Sequence, residues 1–333
     1  MKISGSIYSD KNRSLQETIK DLEAHQVDLL HVDCNDSLSV FDDIAKIREW
    51  CNLPIDLHII TETPEKYYEH LRNYPVEYVT FQYEQLPANF ELPDDIQGEK
   101  GLAIITPTSV DVFDDFDCFD FILMMATIPG QSGGKFDPEN FRKIRKFKSK
   151  YPNKNVHVDG GVNGEVSFIL RNMGVHASVS GSFLFKAASV GQALMDLTKR
   201  EIESLFKVKD FMIPREECPI IDYSALDLKN VLSLIDDGRL GFILVEKDKK
   251  FKGIISNADM RKALLKNLED IKGMNVQEMI NPNPVTLLDT ETVNDMLNLV
   301  RDQSFPMMYL PVLNSEGNAV GIITFVNLIK GEI

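Results

Sequence analysis

Leu29-Leu-His-Val-Asp33, Ile55-Asp-Leu-His-Ile-Ile60 and Asn155-Val-His-Val-Asp-Gly-Gly161 decide how this chain folds. Each is an apolar run of strand length that carries a side chain able to bind a metal or move a proton. Strand side chains alternate with period two, so His31 and Asp33 share one face. His58 and Asp159 sit near the ends of their own runs. Two imidazoles and two carboxylates on strand ends can converge on one divalent cation while offering two bases to a substrate. Such a set suits Zn²⁺, Mn²⁺ and Fe²⁺ alike.

Working outward, further strands are expected at Lys2–Tyr8, Glu77–Phe81, Gly101–Ile104, Phe119–Met125 and Ala177–Ser180, with Leu29–Asp33, Ile55–Ile60 and Asn155–Asp159 completing eight. Helical patterns separate most of them. The clearest opens at Ser14-Leu-Gln-Glu17, a capping-box spacing. Gly174, after Leu170-Arg-Asn-Met, reads as a helix C-cap. Strand-plus-helix units of roughly 25 residues predict an α/β (β/α)8 TIM barrel over residues 1–200, near the lower size limit for that fold. An open doubly wound sheet leaves functional residues on so many strand ends unexplained. A charged helix is then expected over residues 197–208.

The chain has 333 residues and a net charge of −15. That charge argues against nucleic acid or an anionic membrane as partner. A phosphorylated substrate therefore needs a local anion site. Three glycine-rich stretches supply candidates: Gly130-Gln-Ser132-Gly133-Gly134, Gly160-Gly161 and Gly181-Ser182. They follow strands six, seven and eight, where backbone N–H groups can cradle an anion. The cysteines (Cys34, Cys51, Cys118 and Cys218) show no paired metal spacing, which fits a reduced, cytoplasmic setting. No apolar segment reads as a signal peptide or a bilayer span.

From residue 208 the texture changes to two similar halves, 208–270 and 274–333. Val208-Lys-Asp-Phe-Met-Ile-Pro214 recurs as Val276-Gln-Glu-Met-Ile-Asn-Pro282, and Gly253-Ile-Ile-Ser-Asn-Ala-Asp259 recurs as Gly321-Ile-Ile-Thr-Phe-Val-Asn327. A repeat this clear predicts two pseudo-symmetric units packed face to face, neither able to bury its apolar surface alone.

The first half of the chain resembles the ribulose-phosphate 3-epimerases. Lys2-Ile-Ser-Gly-Ser6, Leu30-His-Val-Asp33, Asp56-Leu-His58, Val79-Thr-Phe81, Met125-Ala-Thr-Ile-Pro-Gly130, Ser132-Gly-Gly-Lys-Phe136, Val158-Asp-Gly-Gly-Val162 and Ser180-Gly-Ser182 carry the likeness in order. The resemblance implies that His31, Asp33, His58 and Asp159 hold one divalent metal (Zn, Fe(II) or Mn). It also implies that Asp33 and Asp159 form the acid/base pair, and that Ser6 contacts the sugar of a small phosphorylated substrate. Asn35 and Ile60 stand where the family has metal-lining methionines, Met125 keeps the third, and Gln82 stands where a histidine commonly follows Thr-Phe. A pocket made more polar points to altered substrate choice. Epimerisation of ribulose 5-phosphate or a longer hexulose or heptulose phosphate is expected, against a silent barrel serving as scaffold or sensor.

The duplicated half resembles a tandem pair of cystathionine-β-synthase (CBS) domains, similar to the pair appended to arabinose-5-phosphate isomerases. The resemblance implies an adenine nucleotide or nucleotide-sugar ligand. Asp259 would meet the ribose and Ser256 the phosphate. Thr324 is kept in the second copy, while Asn327 replaces the aspartate. A homo-oligomer is expected, since both modules commonly pair.

Overall fold

Eight parallel strands close into a barrel in sequence order in a computed structural model that describes residues 1–116, 118–127, 133–199, 205–271, 273–304 and 307–326. The strands are β1 (Lys2–Ser6), β2 (Leu29–Asn35), β3 (Ile55–Ile60), β4 (Tyr78–Gln82), β5 (Glu99–Ile105), β6 (Phe121–Met125), β7 (Asn155–Asp159) and β8 (Ala177–Ser180). β8 pairs back onto β1, with Lys2 opposite Ala177, so the sheet has no free edge. The described residues fall into two units, one within 1–202 and one within 203–326.

Around the barrel run α1 (Leu15–Ala24), α2 (Val40–Trp50), α3 (Glu65–Asn73), α4 (Glu139–Lys150), α5 (Gly164–Asn172), α6 (Ser182–Lys186) and α7 (Val190–Thr198). The Ser14/Glu17 capping box opens α1 as expected. Gly174, at φ +73°, follows α5. The helical layer departs from a regular (β/α)8 pattern in two places. Among the described residues, the helical turns of the crossovers after β4 and β5 are 3₁₀ turns, Tyr83–Gln85 and Val110–Asp115. Pro87 and Pro93 in the first of these crossovers each remove a helix donor, and Pro107 does so just after β5. Short crossovers are also how eight strands fit into so few residues.

Inside, Leu29, Tyr78, Ala103, Phe121, Leu123, Met125 and Ala177 form an apolar cluster. The buried polar side chains of His31, Asp56, His58, Thr80 and Gln82 share the interior with it.

The second unit holds α8 (Val208–Phe211), β9 (Ile213–Pro214), β10 (Ile220–Asp222), α9 (Leu228–Gly238), β11 (Phe242–Lys247), β12 (Lys250–Ser256), α10 (Asn257–Lys266), β13 (Leu287–Leu288), α11 (Val293–Arg301), β14 (Tyr309–Leu313) and β15 (Ala319–Thr324). They form the sheets β10-β11-β12 and β13-β14-β15-β9. The halves complete each other. Ile213 of the first pairs with Ile322 of the second, and Asn281 of the second bridges Ile254 of the first. These pairings are related by the same 68-residue step as the sequence repeat (213 to 281, 254 to 322). The helix expected over 197–208 does not run unbroken: residues 199 and 205–207 are not helical, and 200–204 lie outside the described residues. α7 stops at Thr198, and Lys207 already pairs with Thr292 before Asp210 caps α8. Among the described residues, no helix is long and apolar enough to cross a membrane.

His157 lines the barrel below Asp159 with both ring nitrogens buried and without hydrogen-bond partners among the described residues. Its ring stacks on Phe121 at 4.1 Å. Burial lowers its pKa to about 3, against about 6.5 for an unfolded histidine. As pH falls, the unfolded chain therefore takes up this proton first. The stability that neutral His157 confers is complete above pH 6.5 and is lost progressively toward pH 3. Between pH 7 and pH 5 the loss should be roughly 2 kcal/mol. His157→Phe should remove that part of the pH dependence, measured as urea midpoints at the two pH values with chelator present throughout.

Candidate metal centre and active site

Strand alternation turns His31 and Asp33 of β2, His58 of β3 and Asp159 of β7 toward the barrel axis at the C-terminal end. His31 Nε2 lies 3.3 Å from Asp33 Oδ1 and 3.9 Å from Asp159 Oδ2, and His58 Nδ1 lies 3.6 Å from Asp33 Oδ1. One ligand atom from each of the four falls within 4.8 Å of the others. The histidine side chains are wholly buried, whereas Asp33 and Asp159 keep 25% and 18% exposure. The carboxylates thus face the mouth, where a substrate enters.

The remaining ring nitrogens are already engaged. His31 Nδ1–H donates to Asp56 Oδ2 at 2.8 Å, and Ser4 Oγ–H donates to the same oxygen at 3.1 Å. His58 Nε2–H donates to Gln82 Oε1 at 2.9 Å. In the neutral rings this leaves His31 Nε2 and His58 Nδ1 with lone pairs facing the cluster. His58 Nδ1 is buried and has no hydrogen-bond partner among the described residues, a costly arrangement unless a ligand satisfies it. Two imidazole nitrogens and two carboxylates, one nitrogen otherwise orphaned, fit a divalent cation of the Zn, Fe(II) or Mn kind.

The electrostatics agree. Burial opposes a charge on His31, but the carboxylates of Asp56 and Asp33 outweigh it and hold its pKa well above the ordinary imidazole value. Burial likewise opposes ionised Asp33, yet His31 and His58 hold it below the usual carboxylate range. Asp159 is pushed up to about 6, by burial first and with the Asp33 charge adding to it. The interior is thus built for positive charge, and its two carboxyls are split into one held below the usual carboxylate range and one pushed up to about 6, which takes a proton more easily.

Around this cluster, Ser6 is in register with His31, Asn35 with Ile60, and Met125 with Asp159, so all four predicted lining residues sit at strand ends beside the ligands. Ser6 Oγ lies 2.9 Å from Ser9 Oγ. Gly160 and Gly161 adopt φ of +106° and +68°, and a Cβ on either would come within 2.3 Å of Thr127 Oγ1 or 2.2 Å of the Phe136 nitrogen. A Cβ on Gly181 would strike Ser9 Oγ at 2.2 Å. Gly133 sits beside Ser182 and Lys186, its Cβ position 3.9 Å from Ser182 Oγ and 3.6 Å from Lys186 Nζ. Gly133 thus lies beside the start of α6, and the Gly160-Gly161 turn packs against Thr127 and Phe136; Gly130 and Ser132 lie outside the described residues. Sequence reasoning missed three residues. Asp56 stands two positions before His58 on the same strand face, a signal that was available. Gln82 was noticed only as a departure, and Lys186 lies one helical turn beyond Ser182.

Residues 2–185 match the family model described as the ribulose-phosphate 3 epimerase family. The chain belongs to that family. It is similar to the ribulose-phosphate 3-epimerase of Methanocaldococcus jannaschii, 31% identical over 232 residues that span 64% of this chain and 95% of the relative. The Bacillus subtilis ribulose-phosphate 3-epimerase is 27% identical over 213 residues, 59% of this chain and 98% of the relative. This epimerase-family chain is thus an isomerase of the class that acts on phosphorylated sugars. Residues 276–332 match the CBS domain model. The chain is also similar, over 38% of its length, to the solved structure of CBSX2 in complex with AMP, at 23% identity over 96% of that chain, with a TM-score of 0.32.

In the CBS region the signature residues serve the fold directly. The Ser256 backbone N–H and Oγ–H both donate to Asp259 Oδ2, at 3.0 and 2.5 Å, while the Asp259 N–H donates to Ser256 Oγ, making a capping box for α10. Thr324 closes β15 opposite Tyr309, whose ring stacks on Phe242 at 3.8 Å. Asn327 lies outside the described residues.

Proposed function

We propose that the barrel epimerises C3 of a ketose phosphate of the ribulose 5-phosphate/xylulose 5-phosphate type, using Asp33 and Asp159 as a two-sided acid/base pair. The observation that carries this is the convergence of both carboxylates on the same two imidazoles from strands separated around the barrel by β1 and β8. One carboxylate takes the C3 proton. The C–H electron pair becomes the C2–C3 double bond of an enediolate, and the carbonyl oxygen takes the negative charge. The other carboxyl returns a proton to the opposite face of C3, and the enediolate collapses to the epimeric ketone. The split between the two carboxyls supports this division of labour. His31, His58, Asp33 and Asp159 would hold the divalent cation, which when bound supplies Lewis-acid stabilisation of the oxyanion. The silent-barrel reading gains no support, since the residue set is complete and the matched relatives are enzymes.

Gly133, the Gly160-Gly161 turn and Gly181-Ser182 would seat the phosphate, with Lys186 as its cation. Among the described residues Lys186 has no carboxylate partner, and it stands beside Gly133 and Ser182 on a strongly acidic protein. This reading implies a cytoplasmic homo-oligomer. Its CBS region would bind an adenine nucleotide or nucleotide-sugar through Ser256, Asp259 and Thr324.

Three outcomes test these assignments. Metal-loaded protein in deuterated water should place deuterium at C3 of ribulose 5-phosphate. Asp33→Asn and Asp159→Asn should each slow that exchange roughly a hundred- to ten-thousandfold; exchange that survives in both variants sinks the two-base mechanism. Lys186→Met should raise KM roughly ten- to a hundredfold, as for loss of one charge-assisted hydrogen bond, with little change in kcat. An unchanged KM would remove Lys186 from the phosphate site. Calorimetry should show AMP binding to the wild-type chain and at least roughly tenfold weaker binding to Asp259→Ala. Equal heats for the two proteins would exclude the ribose contact.

A further inference from the structure

Both imidazoles of the cluster are oriented from behind, but by groups of different kind. His31 is held by Asp56, an anion that accepts from Nδ1 and is itself anchored by Ser4. His58 is held by Gln82, a neutral amide. An amide could in principle present either end to the ring, and only its oxygen end suits a neutral imidazole whose Nδ1 must stay free.

The second end of Gln82 settles which end is used. Its Nε2 donates to Glu84 Oε2, and also to the Ala103 carbonyl at 3.4 Å. Both are acceptors only, so the NH₂ group must point at them and the oxygen must point at His58. Glu84 is pinned in turn. Its Oε1 accepts the Ile105 N–H at 3.1 Å and the Thr108 hydroxyl at 2.5 Å. The chain of bonds therefore runs from the end of β5 and the loop after it, through Glu84 and Gln82, to one ring of the cluster.

We propose that Gln82 is a positioning residue, locked by Glu84, that keeps His58 in the Nε2–H tautomer with its Nδ1 lone pair turned into the cluster. A histidine at this position, as the resemblance leads one to expect, could exchange its own donor and acceptor nitrogens. The donor and acceptor ends of an amide are set by covalent structure. The inference rests on the metal-binding reading above, because only a ligand at Nδ1 makes the tautomer matter.

The test is Zn²⁺ affinity of the full chain, measured by competition with a chromophoric chelator, alongside the melting temperature of the metal-free protein. Gln82→Leu removes the acceptor and should weaken Zn²⁺ binding roughly 10- to 100-fold. Gln82→His, which can still accept from Nε2–H, should restore most of it. Glu84→Gln leaves His58 and Gln82 in place but lets the amide turn either way, and should weaken binding roughly tenfold. A purely structural role would lower the melting temperature and leave the affinity alone. Wild-type affinity in a folded Gln82→Leu, or in Glu84→Gln should the leucine variant not fold, overturns the inference. A wild-type chain that takes up no Zn²⁺ overturns the metal reading itself, a result the variants cannot mimic.

Discussion

Everything at the mouth of the barrel depends on where the buried imidazole nitrogens find partners. Closure of the sheet turns every second side chain inward, and His31 and His58 there have no exposure. A neutral imidazole there has one donor and one acceptor to satisfy. Asp56 and Gln82 engage His31 Nδ1 and His58 Nε2, which turns His31 Nε2 and His58 Nδ1 toward Asp33 and Asp159. The geometry of the cluster is thus decided by residues outside it. The four cluster residues could all be present in the sequence and still point elsewhere without this second set.

The acidic surface and the anionic substrate are reconciled by the same economy of position. A net charge of −15 repels phosphate at long range. On the proposed reading, the groups that would act at short range are backbone N–H dipoles of the glycine loops together with Lys186 beside Gly133. Screening confines the unfavourable field to roughly 10 Å in ordinary salt, so a few well-placed donors at the strand ends outweigh charges spread over the rest of the surface.

Much of this was legible in the sequence, for a physical reason. Buried parallel strands are short apolar runs, and each of the eight was visible as such. His31, Asp33, His58 and Asp159 lie at or near the C-terminal ends of those runs, so their convergence followed once a barrel was assumed. The two 3₁₀ crossovers were not legible, because only tertiary closure shows how little chain is needed between β4 and β6. The charged helix expected over 197–208 does not reach Val208 unbroken, because helix propensity does not reveal that Lys207 has a strand-like partner in Thr292, 85 positions away. Asp56 escaped notice because a buried carboxylate is unusual and its only signal was the Asp-x-His spacing. Lys186 escaped because a lysine on a short exposed helix reads as solvent-facing until the fold brings Gly133 beside it.

The CBS half shows how one motif can answer to two demands. Gly-x-x-Ser-x-x-Asp looks like a ligand signature, yet Ser256 and Asp259 are also the N-cap and N3 residues of α10. Such a cap is worth about 1 kcal/mol. Both bonds that Asp259 accepts from Ser256 use Oδ2. A ribose that used the other oxygen would leave the cap intact and stiffen α10. One that displaced Ser256 from Oδ2 would have to exceed the value of the cap and would loosen the helix start. A ligand regulates only through a difference in affinity between two states. The first turn of α10 is therefore where such a difference would be generated, and its sign depends on which carboxylate oxygen the ligand engages.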